Sequence, residues 1–186
     1  MDLFEKVKLS DRLRAVRVRA VSADETVVVQ LAGSGEATVE FARTGLSRHT
    51  ELSLARSVQE AVTRALTGRR KAVGMLLDKV RGGPRDPARV SPATRQRRQR
   101  QDEAYDGMEV AAESERGQVS FQWSGMTRIR VVIRQNALQT AGLTDRQWAD
   151  ELTSGLVAVK QAHARRYMQV EKSFYFSTTK EEEGTP

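Results

Sequence analysis

The 186 residues include no cysteine. Disulfides, thiolate metal sites and cysteine nucleophiles are thereby excluded, and the absence accords with a reducing compartment. Aromatic residues make up only 5% of the chain, so a core has to be built from Val, Leu, Ala and Ile. No stretch approaches the ~18 apolar residues of a membrane span, so no membrane partner is expected. The opening MDLFEKVKLSDRLRAV is charged throughout and does not read as a signal peptide. There are only two histidines, His49 and His163, and neither has Asp, Glu or His at metal-ligand spacing. Both read as structural or solvated side chains. No GxSxG stretch is present. Gly33-Ser34-Gly35 is too short for a phosphate loop and reads as a hairpin turn. Asp145, Asp150 and Glu151 cluster at a predicted helix start, where dipole compensation explains them better than a divalent metal. The chain is therefore expected to be no enzyme, with no metal and no cofactor.

Charge is the feature in excess. The net charge is +7, with 24 arginines against 7 lysines. Residues 81–101 alone carry seven arginines and one aspartate, a net +6. Within them Arg95, Arg97, Arg98 and Arg100 fall in six residues, with Arg81, Arg85 and Arg89 upstream. Arg69, Arg70 and Lys71 form a second cluster. Such runs attract phosphates without regard to sequence and in a salt-sensitive way. A solvated charged linker is the plainer reading of the same residues. Arg17, Arg19, Arg128 and Arg130 fall on outward positions of predicted strands, near Glu36, Glu40 and Glu109. There a salt-bridged sheet surface is expected ahead of a DNA-facing one.

The apolar residues repeat a plan. Residues 16–21 alternate, and 26–32 and 36–42 alternate again across polar or glycine turns, giving three antiparallel strands. Leu52, Ala55, Val58, Val62 and Leu66, widened by Leu54, Ala61 and Ala65, form a helical stripe. Gly68 either interrupts this helix or is spanned by it. Residues 108–112, 118–123 and 127–133 read as a second strand triplet. Thr144 is the predicted N-cap of a second helix, with Gln147 completing a capping box and Leu143 and Trp148 at staple positions. Its stripe is Trp148, Leu152, Gly155/Leu156, Val159 and His163. Aligning Ser34-Gly35 with Ser124-Gly125 gives an offset of 90, and Val27 with Val119 gives 92, which places a two-residue difference in one turn.

The expected organisation is a β-β-β-α unit at 1–81, a Pro/Gly and arginine-rich linker at 82–106, a second such unit at 107–172 and a tail at 173–186. Residues 95–106 read as either a solvated helix or disorder, and SFYFS in the tail has the propensity of an added edge strand. A short leading helix is predicted over residues 3–14. The fold class is α+β: an antiparallel sheet of five or six strands with long helices on one face.

This order of elements resembles the YbaB/EbfC family of small bacterial nucleoid-associated proteins. SADETVVVQLAGSGEATVEF carries the likeness in the first unit. GQVSFQWSGMTRIRVVI with LTDRQWADELTSGLVAVKQA carries it in the second, which is also similar to secretion-associated proteins of mycobacterial type VII systems. The resemblance covers about 110 residues and implies homodimers whose sheets join and whose helices hold DNA like tweezers. Here it implies two such units fused in one chain. The leading helix, shortened to residues 2–14, and the arginine-rich linker depart from the family pattern.

The resemblance and the charge together imply a cytoplasmic, nucleoid-associated protein that binds double-stranded DNA through phosphates. Arg69, Arg70, Lys71, Arg95, Arg97, Arg98 and Arg100 are the candidate contacts, and self-association is expected. The alternative is a protein-binding accessory or chaperone-like factor of type VII secretion, for which apolar residues near a helix end, Met75, Leu76 and Leu77, would serve.

Overall fold

Each predicted strand and both long helices form, and a leading helix precedes each unit. A computed structural model describes residues 3–42, 45–83 and 90–182. Helix α1 (Leu3–Ala15) runs into strands β1 (Arg17–Val21), β2 (Val27–Ala32) and β3 (Ala37–Phe41), and these into helix α2 (Glu51–Arg81). The order then repeats as α3 (Pro92–Asp106), β4 (Glu109–Glu113), β5 (Val119–Ser124), β6 (Arg128–Ile133), a single-turn α4 (Ala137–Thr140) and α5 (Asp145–Glu182). The fold is α+β. The strands do not join into one sheet of five or six; they make two three-stranded antiparallel meanders, β1-β2-β3 and β4-β5-β6.

The two meanders share one core because their helices cross over. Helix α2 packs on β1 and β2 of its own unit and on β6 of the other, while α5 packs on β4 and β5 and on β3. Such reciprocity belongs to a two-fold interface, here contained within one chain. A three-stranded sheet has little to bury alone. One hydrophobic cluster accordingly draws Val27, Val29 and Leu31 from the first sheet and Val119, Phe121 and Ile129 from the second.

Equivalent strand positions are 92 residues apart, since Val29 faces Val39 and Phe121 faces Val131. The helix caps Thr50 and Thr144 are 94 apart. The hairpins between the second and third strands are thus of equal length, Leu31 facing Ala37 and Trp123 facing Ile129. The two extra residues lie instead in the strand-to-helix loop of the second unit, which holds α4 where the first unit has a short 3-10 turn, Leu46–Arg48. The Ser-Gly alignment was misleading because Gly33, not Gly35, is the structural counterpart of Gly125.

Both helices are capped alike. Thr50 accepts from the Ser53 amide, and Ser53 accepts in return from the Thr50 amide. Gln147 N–H donates to Thr144 Oγ1 at 3.4 Å, and Thr144 N–H donates to Gln147 Oε1 at 2.9 Å. The predicted stripe of α5 is buried through His163. That of α2 is buried from Leu54 to Leu66, but Leu52 is 72% exposed; it lies in the first turn, and Leu54 takes the inward position. Helix α2 passes through Gly68 unbroken, and a Cβ there would sit 3.1 Å from Val18 Cγ1. The glycine lets the helix lie close on β1.

Of the expectations for the chain between and after the units, the helical alternative for residues 95–106 holds and the added edge strand is corrected. Residues 92–106 are helical, starting at the Ser91 cap with Pro92 in the first turn. SFYFS adds no strand, because α5 continues through it to Glu182. Neither Gly nor Pro occurs between Gly155 and Gly184, so nothing stops a helix already under way. Arg85, Arg89 and the last residues from 183 lie outside the described residues.

Candidate nucleic-acid interface

Helices α2 and α5 outrun the core. Among the residues whose burial is described, the last buried one of α2 is Leu66 and that of α5 is His163. At ~1.5 Å per residue, α2 extends a further ~22 Å and α5 ~28 Å. Helix α1 lies against α2 as α3 lies against α5, so each long helix carries its unit's leading helix.

Helix α3 is held by Tyr105. This side chain is 8% exposed and stacks on Tyr167 with centroids 4.9 Å apart and rings 11° from parallel. Its hydroxyl hydrogen-bonds Glu171, and Gln101 Nε2 donates to both the Tyr105 hydroxyl and Glu171 Oε1, at 2.8 and 3.1 Å. Burial first, then the Glu171 and Tyr167 partners, push the Tyr105 hydroxyl well above the ordinary tyrosine range. Arg98, Gln101 and Tyr105 share one helix face by their spacing. Arg98 is half-buried on that side, whereas Arg95, Arg97 and Arg100 are exposed.

The second cluster divides. Arg70 and Lys71 are exposed, and Arg69 is half-buried. Arg69 and Arg70 line a cleft between α2 and α5 together with Lys160, Trp123, His163 and Tyr167. Lys71 and the four α3 arginines do not line it. Sequence reading missed Lys160, although a signal was present: it stands 94 residues after Leu66, a lysine where the first unit has a core leucine. Lys160 Nζ donates to the carbonyls of Gly35 and Glu36. Burial, reinforced by Arg69, lowers its pKa to about 8.

Cations here are little paired. Among the described residues the one ion pair within 4 Å is Arg64–Glu60, and none of the seven candidate DNA contacts forms one. Arg17, Arg19, Arg128 and Arg130 are exposed on the outer sheet faces, also without ion pairs among the described residues. Arg128 donates instead to the Asp106 carbonyl at 3.3 Å. The expected salt-bridged surface is absent among the described residues because Glu40 and Glu109 stand opposite Val28 and Ser124, not opposite arginines.

Both histidines are tied into the fold. His49 reaches Ser53 Oγ and Thr26 Oγ1 at 3.2 and 2.9 Å. His163 hydrogen-bonds the Gly125 carbonyl through Nε2 at 2.8 Å, so that nitrogen carries the proton. It also stacks on Trp123 at 4.2 Å, and burial lowers its pKa. Among the described residues no group of three His, Cys, Asp or Glu could hold a metal. Asp145 sits in the first turn of α5 as expected and also accepts the Leu46 amide at 3.3 Å. Glu151 is no dipole charge: it is 3% exposed and anchors the β4–β5 turn through Ser114 Oγ and the amides of Arg116 and Gln118. No helix among the described residues is long and apolar enough to cross a membrane. No protein-family model, curated protein or solved structure matches the chain.

Proposed function

We propose that the chain is a non-enzymatic DNA-binding protein of the nucleoid-associated type, contacting mainly phosphates. The observation that carries this reading is a set of seven basic side chains on α2 and α3, none of them ion-paired among the described residues. The exposed ones, Arg70, Lys71, Arg95, Arg97 and Arg100, hold donors for phosphate oxygens, Arg95 giving its Nε–H to the Val90 carbonyl. A phosphate-dominated interface has a steep salt dependence as its signature, because binding releases condensed counterions. The likeness to the YbaB/EbfC pattern supports the same reading, with two units in one chain standing where that family uses two subunits.

The test is a titration of unrelated duplexes at about 50 and 200 mM salt. Binding that is micromolar or tighter at low salt and falls steeply with salt is expected. Reversing the charges of Arg95, Arg97, Arg98 and Arg100 should weaken binding and flatten its salt slope. Unchanged binding after reversal removes α3 from the interface, and no binding at low salt ends the DNA reading. One observation favours a second reading, a protein-binding accessory factor such as those of type VII secretion. Met75 is 65% exposed on α2 beside half-buried Leu76 and Leu77. An α2 helix that keeps its DNA affinity after Met75→Glu but loses a co-purifying protein would support it.

A further inference from the structure

The cleft between α2 and α5 has a volume of about 540 Å³, within the ~300–1,000 Å³ typical of small-molecule sites. It opens where the β2–β3 turn, at Gly35, and the β5–β6 turn, at Met126 and Thr127, meet the two helices. Its walls are of two kinds. Leu66, Val73, Met126, Trp123 and Tyr167 supply apolar and aromatic surface. Arg69, Arg70 and Lys160 supply positive charge, and no Asp or Glu among the described residues lines the space.

Two donors there are left over. The indole N–H of Trp123 is buried without a hydrogen-bond partner among the described residues, although the residue is only 5% exposed. Arg69 Nε is likewise buried and unpartnered. The face of Trp123 is taken by His163, whose own N–H goes to the Gly125 carbonyl, so histidine does not satisfy the indole. Buried donors without acceptors are uncommon and costly. Lys160 adds a partly desolvated ammonium near both Arg69 and Glu36, whose hydrogen-bond acceptors among the described residues are the Gly35 and Glu36 carbonyls. Cations gathered in an apolar recess with no acidic lining side chain, beside two orphaned N–H groups, form the complement of an anion with a greasy body.

We propose that this cleft binds a small amphipathic anion, with a carboxylate or phosphate head against Arg69 and Lys160 and an apolar body along Leu66, Val73 and Met126. The cleft shares Arg69 and Arg70 with the proposed DNA surface, but the four α3 arginines do not line it, so their charge reversal separates the two activities. A bound head group pairs with the Arg69 guanidinium and the Lys160 ammonium and offsets the repulsion between them. Its tail covers the apolar wall.

The two tryptophans make the test internal. Trp123 lines the cleft, whereas Trp148 is 1% exposed in the core and does not. The full chain, labelled with 15N, gives one indole N–H signal for each, assigned with Trp123→Phe. Titration with decanoate and with decyl phosphate, below their micelle concentrations, should move the Trp123 signal saturably and leave that of Trp148 in place. The tighter of the two identifies the preferred head. Decanol and inorganic phosphate, each lacking half the ligand, should bind at least tenfold more weakly. Lys160→Gln should weaken decanoate binding at least tenfold. Arg69→Gln, which leaves the Gly35 turn untouched, should do the same if Lys160→Gln disturbs the fold. Charge reversal of the α3 arginines should leave decanoate affinity unchanged whether or not it abolishes DNA binding. A still Trp123 signal at millimolar decanoate, equal movement of both indoles, or equal affinity for decanol would each overturn the assignment.

Discussion

Gln59 and Thr153 occupy equivalent points on α2 and α5, and each accepts the backbone N–H of an edge valine in the other unit. Thr153 Oγ1 takes the Val39 amide at 2.9 Å, and Gln59 Oε1 takes the Val131 amide at 3.4 Å. Strands β3 and β6 have no ladder partner on that side among the described residues. An open edge invites pairing with another chain; here a side chain from the crossing helix closes it. Separating the units would therefore expose two strand edges as well as the shared core. Thr153→Val keeps the shape and removes the acceptor, leaving a part-buried N–H unsatisfied, at a cost of ~1–2 kcal/mol. Gln59→Leu should cost less, its bond being longer. Urea unfolding should show one transition with a lowered midpoint for each variant. A Thr153→Val protein as stable as its parent would mean that water serves the Val39 amide equally well.

Phe121 and Gly155 are matched in size. A Cβ added at Gly155 would lie 2.7–2.8 Å from the Phe121 ring. The equivalent pair in the first unit is Val29 and Ala61, both fully buried: a smaller strand residue facing a larger helix residue. Gly155→Ala should thus destabilise by ~1–3 kcal/mol through overpacking, although alanine favours a helix by about 1 kcal/mol. In a Phe121→Val background the same change should cost little or become favourable. A double-mutant cycle reads this directly, with a coupling of at least ~1 kcal/mol expected for side chains in contact. Additive effects would show that the helix shifts to make room.

Much of this arrangement was legible in the chain, and the illegible parts have a common cause. Strand alternation, the Thr144 capping box and the stripe from Trp148 to His163 depend on local spacing, and all formed. A stripe reveals that a face is buried but not what buries it, so the crossing of α2 onto β6 and α5 onto β3 could not be read. Glu151 reads as a dipole charge from local spacing because its partners, Ser114, Arg116 and Gln118, lie more than thirty residues away. The candidate DNA contacts were read from charge density, which is local. The cleft was missed because Arg69, Trp123 and Lys160 meet only after both units pack.

Lys160 gives the protein a pH dependence on the alkaline side. Burial, then Arg69, bring its pKa from 10.5 down to about 8, so the protonated form is disfavoured in the folded state. A group lowered in this way contributes its full stability above the unfolded pKa of 10.5 and loses it as pH falls through about 8. At pH 7 Lys160 is charged and the contribution is gone. Lys160→Met should therefore compare more favourably with the parent at pH 7 than at pH 10.5. Urea midpoints of the two proteins at both pH values isolate the effect, because the lost bonds to the Gly35 and Glu36 carbonyls enter at each pH. An unchanged difference would place the ammonium in water.

The carboxylates of Asp24 and Glu151 serve equivalent turns from opposite sides. In the first unit the turn supplies the acid: Asp24 accepts from Ser22, Thr26 and, across the interface to α2, Ser57 Oγ at 2.6 Å. In the second unit the turn position holds Arg116, and the helix supplies the acid as Glu151, at the position equivalent to Ser57. Burial alone would raise the Asp24 pKa, but the bonds from Ser22, Ser57 and Thr26 outweigh it and hold the acid well below the usual range. A lowered carboxylate pKa stabilises above the unfolded value of 3.8 and is lost as pH falls below it. Asp24→Asn should be less stable than the parent at pH 7, with the gap closing below about pH 4. Glu151→Ser should cost ~2–3 kcal/mol, since it strands buried donors that a charged acceptor had satisfied. Adding Arg116→Asp rebuilds the first unit's arrangement in the second and should restore a substantial part of that loss. Failure of the double variant to recover any stability in urea unfolding would show that the two turns, though equivalent in sequence position, differ in the path of their backbone.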